Sequence, residues 1–140
     1  MQLINQYMPN NLKYPTPEKV IEYNVLSVTL INAKKADRAK VLSMAKIREV
    51  VEDCKAKEGD VYDKAVILLK GLIQKHPFAS GNRRTAFIAA KDFLLSNNTQ
   101  FGIKDDPGFA RVMQGIREDY YSDEELKEWL KHGKIREFKR

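Results

Sequence analysis

The chain has 140 residues, 43% of them apolar and 31% charged, which are values typical of one globular domain and not of a disordered chain. The apolar runs are too short for a membrane span, and residues 1–11 lack the basic-then-apolar pattern of a signal peptide. A single cysteine, Cys54, excludes an intrachain disulfide and argues against a thiolate zinc cluster, so a reducing cytoplasm fits best. The net charge of +6 favours an anionic partner, although solubility alone also accounts for it.

The first half of the chain predicts three helices. Residues 1–14 show no clear period. Thr16 can cap the first helix with Pro17 at its first position, and residues 32–35 are then predicted to be a connection. Asp37 is predicted to cap the second helix, with apolar positions at Val41, Leu42, Ala45, Val50, Val51 and Cys54. Gly59 ends it, and Asp60 caps a strongly apolar third helix that begins at Val61.

The second half predicts three more helices. Residues 84–95 form a rich apolar helix that ends at 96–98, and Asp106-Pro107 starts the next. Ser122 and Glu125 form a capping box that opens a short helix closed by Gly133, and a flexible, solvated tail follows at about 134–140. The prediction is an all-α fold: one compact domain over 1–140, with about six helices around two central apolar ones.

Several polar or reactive residues are predicted to be structural. Cys54 falls on an apolar helix face and is expected to be a packed thiol. Trp129 is expected in the core, and His132, beside Gly133, to be favoured by the dipole of a helix end. Asp105-Asp106 is interpreted as a helix cap and not as a metal site.

The stretch from His76 to Arg84, with the sequence HPFASGNRR, has the residues of a functional loop between two helices. Gly81 and Asn82 precede a helix N-terminus, where unpaired N–H groups bind anions, and Asn82 can either hold the loop or donate to a phosphate oxygen. Arg84 can offer a planar fork to phosphate. His76 can take a proton near neutrality, and Phe78 is predicted to anchor the loop in the core. No Walker or dinucleotide-binding glycine motif occurs.

This stretch, His-Pro-Phe-x-x-Gly-Asn-x-Arg, resembles the signature of the Fic/Doc family of filamentation and death-on-curing proteins. The continuation Arg84-Thr85-Ala86 and the stretch from Gly115 to Leu130 are similar to the Doc branch. The resemblance covers about 61–131 and is weak before Ala45. It implies an all-α fold and transfer of part of a nucleotide to a hydroxyl of a target protein: AMP in most Fic proteins, and the γ-phosphate of ATP in Doc proteins.

The resemblance also implies roles for individual residues. His76 would be the general base on the target hydroxyl, and Arg84 would stabilise charge on the outer phosphates. Gly81, Asn82 and Arg83 would hold phosphate. Doc-like proteins are typically toxins that act on translation and are blocked by a separate antitoxin protein. The cis-inhibitory pattern of the family, Ser/Thr-x-x-x-Glu-Gly/Asn, does not occur in the chain.

Two positions depart from the family pattern. Ser80 stands where an Asp or Glu usually binds Mg²⁺, so we expect Mg²⁺ binding to be weakened or water-mediated. Arg83 stands where AMP-transferring members have Gly and Doc proteins have Lys, which favours phosphoryl transfer.

The sequence leaves four functional hypotheses of unequal weight. The leading one is a Doc-like toxin that phosphorylates a Ser or Thr hydroxyl of a protein in translation, with ATP as the donor. The others are an AMP-transferring Fic protein, a catalytically degenerate nucleotide-binding member because of Ser80, and, least favoured, a basic nucleic-acid binder whose affinity would fall steeply with salt.

Overall fold

The computed structural model describes residues 11–30, 38–104 and 108–139. These residues form six helices and no strand: α1 Pro17–Leu30, α2 Met44–Ala56, α3 Val61–Lys75, α4 Asn82–Ser96, α5 Phe109–Arg117 and α6 Asp123–His132. The predicted all-α architecture is therefore confirmed. None of the helices in the described ranges is both long enough and apolar enough to cross a bilayer.

Helices α3 and α4 form the centre of the fold and pack most extensively against each other. Each buries an apolar face: α3 through Ala65, Leu68, Leu69 and Leu72, and α4 through Ala86, Ala89, Ala90, Phe93 and Leu94. Helices α2, α6 and α5 pack on α3, while α1 packs on α4. This confirms the prediction of two central helices, and it places the loop that joins them at one end of the core.

The predicted caps that depend on neighbouring residues are confirmed. The Asp60 carboxylate accepts from the N–H groups of Tyr62 and Asp63 at the start of α3. Ser122 and Glu125 form the predicted capping box of α6. The N–H of Lys19 donates to Thr16 Oγ1 at the start of α1. Local hydrogen bonds of this kind are encoded within four residues, which is why the sequence reveals them.

The predicted start of the second helix is wrong. Helix α2 begins at Met44 with Ser43 as its N-cap, and Asp37 lies outside the described residues. Val41 instead forms an antiparallel bridge with Phe78. The N–H of Leu42 donates to Pro77 O at 2.8 Å, and the N–H of Ala79 donates to Lys40 O at 2.9 Å. This pairing across the chain fixes 40–42 in an extended conformation and joins it to the loop after α3.

The end of the chain also differs from the prediction of a solvated tail. Phe138 is only 4% exposed, and its ring lies 4.9 Å from that of Tyr120. Arg136 forms an ion pair with Glu125, which lowers the pKa of that carboxyl to about 2 through hydrogen bonding from Arg136 and from the backbone at Ser122. Ile135, Arg136 and Phe138 therefore contact the domain, while Lys134, Glu137 and Lys139 are exposed. The predicted helix start at Asp106-Pro107, like the proposed cap at Asp105-Asp106, lies outside the described residues, and α5 begins at Phe109 after Gly108.

The predicted structural residues of the core are confirmed. Cys54 is fully buried, and burial raises the pKa of its thiol to about 12, so it stays protonated and unreactive. Trp129 is 3% exposed. His132 lies in the last turn of α6 and has Glu128 as its partner, with Nδ1 2.7 Å from the carboxylate oxygen.

Lys64 is a buried cation that closes the end of α2. Its side chain is on α3, 3% exposed, and Nζ donates to the carbonyls of Lys55 at 2.9 Å and Lys57 at 2.7 Å. Lys55 lies in the last turn of α2 and Lys57 is its C-cap, at the end where helix carbonyls lack internal donors and carry partial negative charge. Lys64 thus satisfies two carbonyl groups that would otherwise be left without donors.

We predict that Lys64→Met lowers the free energy of unfolding by about 1–3 kcal/mol, because the two carbonyls lose their charged donor while the apolar stem is retained. Chemical denaturation monitored by circular dichroism measures the change. Lys134→Met, at an exposed position, is the matched control and should change stability little. Equal stability of the two variants would contradict the capping role.

Candidate functional site

The loop between α3 and α4 lines a cleft of about 440 Å³. The remaining walls come from α5, which contributes an apolar surface and one cation. The lining residues are His76, Ser80, Gly81, Asn82, Arg83, Arg84, Phe109, Ala110, Met113 and Arg117. The structure therefore brings all the sequence-predicted site residues into one cleft except Phe78, which lies beneath it.

Phe78 and Asn82 hold the loop closed. Phe78 is fully buried, as predicted for an anchor. The Asn82 side chain, 4% exposed, accepts from Phe78 N at 3.0 Å and donates to Phe78 O at 2.8 Å. Of the two uses predicted for the Asn82 amide, holding the loop is the one that these bonds fulfil. The backbone N–H of Asn82, in the first turn of α4, takes no part in these two side-chain bonds.

Helix α1 supports the loop from behind, which the sequence did not reveal. Asn24 Nδ2 donates to Ser80 O at 2.8 Å and to Thr85 Oγ1 at 3.1 Å. Gly81 has a positive φ of 76°, and a Cβ there would lie 2.9 Å from Ser27 Oγ. Only glycine both adopts this backbone conformation easily and leaves room for α1. The N-terminal part of the chain thus has a defined task, which is to fix the turn that starts α4.

His76 terminates α3 in a strained conformation. It has φ 53° and ψ 57°, the left-handed region, which is unfavourable for a residue with a Cβ. Glycine or asparagine would occupy this position at lower cost. The side chain of this strained histidine is exposed at the cleft.

The cleft is rich in unneutralised positive charge. Arg83, Arg84 and Arg117 are exposed, and within the described ranges none of the three has an ion pair with a carboxylate. Gly81 provides no side chain to cap the first turn of α4. The backbone N–H groups of that turn therefore remain available to an anion. Together these groups suit a ligand that carries several negative charges.

The donors at this cleft do not fit a divalent cation. Among the described residues that line it, none is an Asp or Glu, and Ser80 Oγ donates to Arg38 O at 3.3 Å. Across the part of the chain that the structure describes, no group of three His, Cys, Asp or Glu side chains could hold a metal ion. Mg²⁺ prefers carboxylate oxygens, and a hydroxyl already engaged with a carbonyl is a poor replacement.

Arg117 contacts His76 and was not predicted from the sequence. Arg117 Nη1 lies 2.9 Å from His76 Nδ1. Because arginine has only donors, Nδ1 must be the acceptor, and the neutral ring then carries its proton on Nε2. Partial burial lowers the pKa of His76 below its ordinary value of 6.5, and the charges of Arg117, Arg83 and Lys46 lower it further. His76 is therefore unprotonated at neutral pH, as a proton acceptor must be.

Aromatic packing sets the wall opposite the loop. The Phe109 ring lies 4.5 Å from Phe87 of α4 in an edge-to-face arrangement and 6.3 Å from Trp129 of α6. Phe109, Ala110 and Met113 together present an apolar surface to the cleft. A ligand with both a polyanionic and an apolar part would match this division.

Comparison with known proteins identifies the class. The model of the Fic/DOC family matches residues 4–94, which is more than half of the chain, so the protein belongs to this family. Members are generally transferases that act on proteins and transfer nucleotide or phosphate groups. The match begins well before Ala45, where the resemblance looked weak, and so includes α1. It ends before the stretch from Gly115 to Leu130. Comparison with curated proteins and with solved structures gave no match.

We predict that Arg117→Gln raises the pKa of His76, because the imidazolium then loses a repulsive neighbour. Proton NMR titration of the ring signals measures this directly, since the chain has only two histidines. In the unchanged protein the neutral base should persist below pH 6.5. Arg48→Gln, on an exposed face of α2, removes the same charge elsewhere and should leave His76 unchanged. Coincident titration curves for the two variants would refute the His76–Arg117 contact.

Proposed function

We propose that this Fic/DOC protein is of the Doc type and transfers the γ-phosphate of ATP to a Ser or Thr hydroxyl of a target protein. The single observation that carries this proposal is the convergence, at one cleft, of an unprotonated histidine with three arginines that have no carboxylate partner among the described residues. By family analogy, the target belongs to translation, and the protein is the toxin of a pair controlled by a separate antitoxin in the cytoplasm.

The proposed chemistry assigns a task to each part of the cleft. His76 accepts the proton of the target hydroxyl as its oxygen forms a bond to the terminal phosphorus. The bond from that phosphorus to the bridging oxygen breaks, and ADP leaves with the electron pair. Arg84 stabilises the charge on the outer phosphates, while Arg83 and the backbone of 81–83 bind the phosphate chain of ATP. Phe109 and Met113 provide an apolar surface for the adenine ring of ATP.

Arg83 supports phosphoryl transfer over AMP transfer. Its exposed side chain lies at the cleft in the first turn of α4, where AMP-transferring members have glycine. A long cation there leaves less room for the nucleotide in the orientation that AMP transfer needs, and so favours the orientation that presents the terminal phosphate. Transfer of AMP is the enzymatic alternative.

The second candidate is a family member that binds nucleotide but does not catalyse transfer. Ser80 is the observation that favours it. Family members usually hold Mg²⁺ through an acid at this position. We propose that any Mg²⁺ here is bound weakly, through water or the nucleotide, and assign no step to it because the described donors do not fit the ion.

The test is intact-mass spectrometry of a translation extract incubated with the protein, ATP and Mg²⁺. We expect a target to gain about 80 Da for one phosphoryl group, where AMP would add about 329 Da. His76→Asn is the control, because asparagine tolerates the left-handed conformation that an alanine would strain. It should abolish transfer and leave ATP binding nearly intact.

Each result has a distinct meaning. A gain of AMP would replace phosphoryl transfer with adenylylation. Transfer that persists in His76→Asn would show that His76 is not the base. ATP binding without any mass gain would favour the binding member.

A further inference from the structure

We propose that Arg117 is a further phosphate-binding residue of this cleft, and that its charge takes the place of a carboxylate-held metal, so that ATP binds without a divalent cation. This inference rests on the proposed function, since it names ATP as the ligand. It concerns a residue outside the signature loop and beyond the 4–94 match.

The position of Arg117 suits this role. It lies in the last turn of α5, across the cleft from the N-terminus of α4 and the two arginines there. An anion between these elements would meet guanidinium groups from both sides. Guanidinium presents planar pairs of N–H donors that match phosphate oxygens. Arg117 would add donors from a second helix to those of Arg83 and Arg84.

The departure at position 80 explains why an additional cation is needed. Phosphoryl transfer requires positive charge against the phosphates, which an acid commonly secures by holding Mg²⁺. Ser80 gives no such charge, and its hydroxyl donates to Arg38 O. Arg117 brings a fixed positive charge to the same cleft without a metal ion. A binding site with three arginines, and with no carboxylate among its described lining residues, attracts polyphosphate directly.

The bond from Arg117 to His76 links nucleotide binding to the availability of the base. While the guanidinium donates to Nδ1, the lone pair that would accept a proton is occupied. A phosphate is a stronger acceptor than a neutral imidazole because it is charged. Moving the guanidinium to phosphate therefore frees Nδ1 when the donor nucleotide is present.

Only the Arg117 side chain needs to move. Gln74 Nε2 of α3 donates to Ile116 O at 2.9 Å, which anchors the end of α5. Met113 and Ile116, each 1% exposed, pack the same helix into the core. The backbone that carries Arg117 is thus fixed relative to the loop, and a flexible side chain on a fixed helix can exchange one acceptor for another.

Calorimetric titration of ATP into the protein in EDTA, and again in Mg²⁺, tests the proposal. The unchanged protein should bind ATP in EDTA, and Arg117→Gln should weaken that binding by about tenfold to a hundredfold, the loss expected for a charged hydrogen bond. Arg48→Gln is the control of equal charge and should bind as the unchanged protein does. Matching thermal unfolding of both variants shows that the loss comes from the site.

Ser80→Asp sharpens the test because it introduces the missing acid. In the double variant Ser80→Asp with Arg117→Gln, Mg²⁺ should restore the affinity that EDTA leaves weak, since metal and arginine would be interchangeable sources of charge. A different result is that the unchanged protein binds ATP only with Mg²⁺ and that Arg117→Gln leaves that affinity the same. This result would overturn the inference about Arg117 and leave the proposed function standing. No ATP binding under either condition overturns both.

Discussion

The site depends on one closed loop, in which the Asn82 side chain binds both main-chain polar groups of Phe78. These bonds are buried, so water does not compete for them, and losing either would leave a buried polar group without a partner. They connect the fully buried anchor of the loop to the first turn of α4. The end of α3 and the start of α4 are thereby held together, and the imidazole and the arginines lie around the same space.

Hydrogen bonds from distant parts of the chain also stabilise the loop. Residues 40–42 pair with 77–79 on one side, and Asn24 of α1 binds Ser80 O on another. Such supports allow two unfavourable features to persist: a left-handed histidine and a group of arginines that have no carboxylate partner among the described residues. Neither feature stabilises the fold. Their presence in a domain that is otherwise regularly capped locates the function more clearly than any single residue type does.

Sequence reasoning succeeded where the determining interactions are local and failed where they are not. The caps at Asp60 and Ser122 and the anchor Phe78 follow from short patterns. The start of α2 was missed because its limit is set by pairing with residue 77, far along the chain. The burial of Phe138 likewise depends on contact with Tyr120, which a basic tail sequence does not reveal. In each case tertiary contact overrode the local pattern.

The candidate site divides in the same way. The loop residues could be predicted because a dense motif contains them, whereas Asn24 and Arg117 lie 56 and 41 residues from their loop partners. An arginine in the last turn of a short helix looks like an ordinary dipole-favoured residue, so no sequence signal separates it from a solvated one. Arg117 reaches the cleft because α5 packs on α3 and its Phe109 ring contacts Phe87 of α4. The cleft thus has three arginines in its lining and no carboxylate among its described lining residues. Under the proposed function, a polyphosphate offsets this positive charge, and a preference of the cleft for polyanions would follow from that difference in charge.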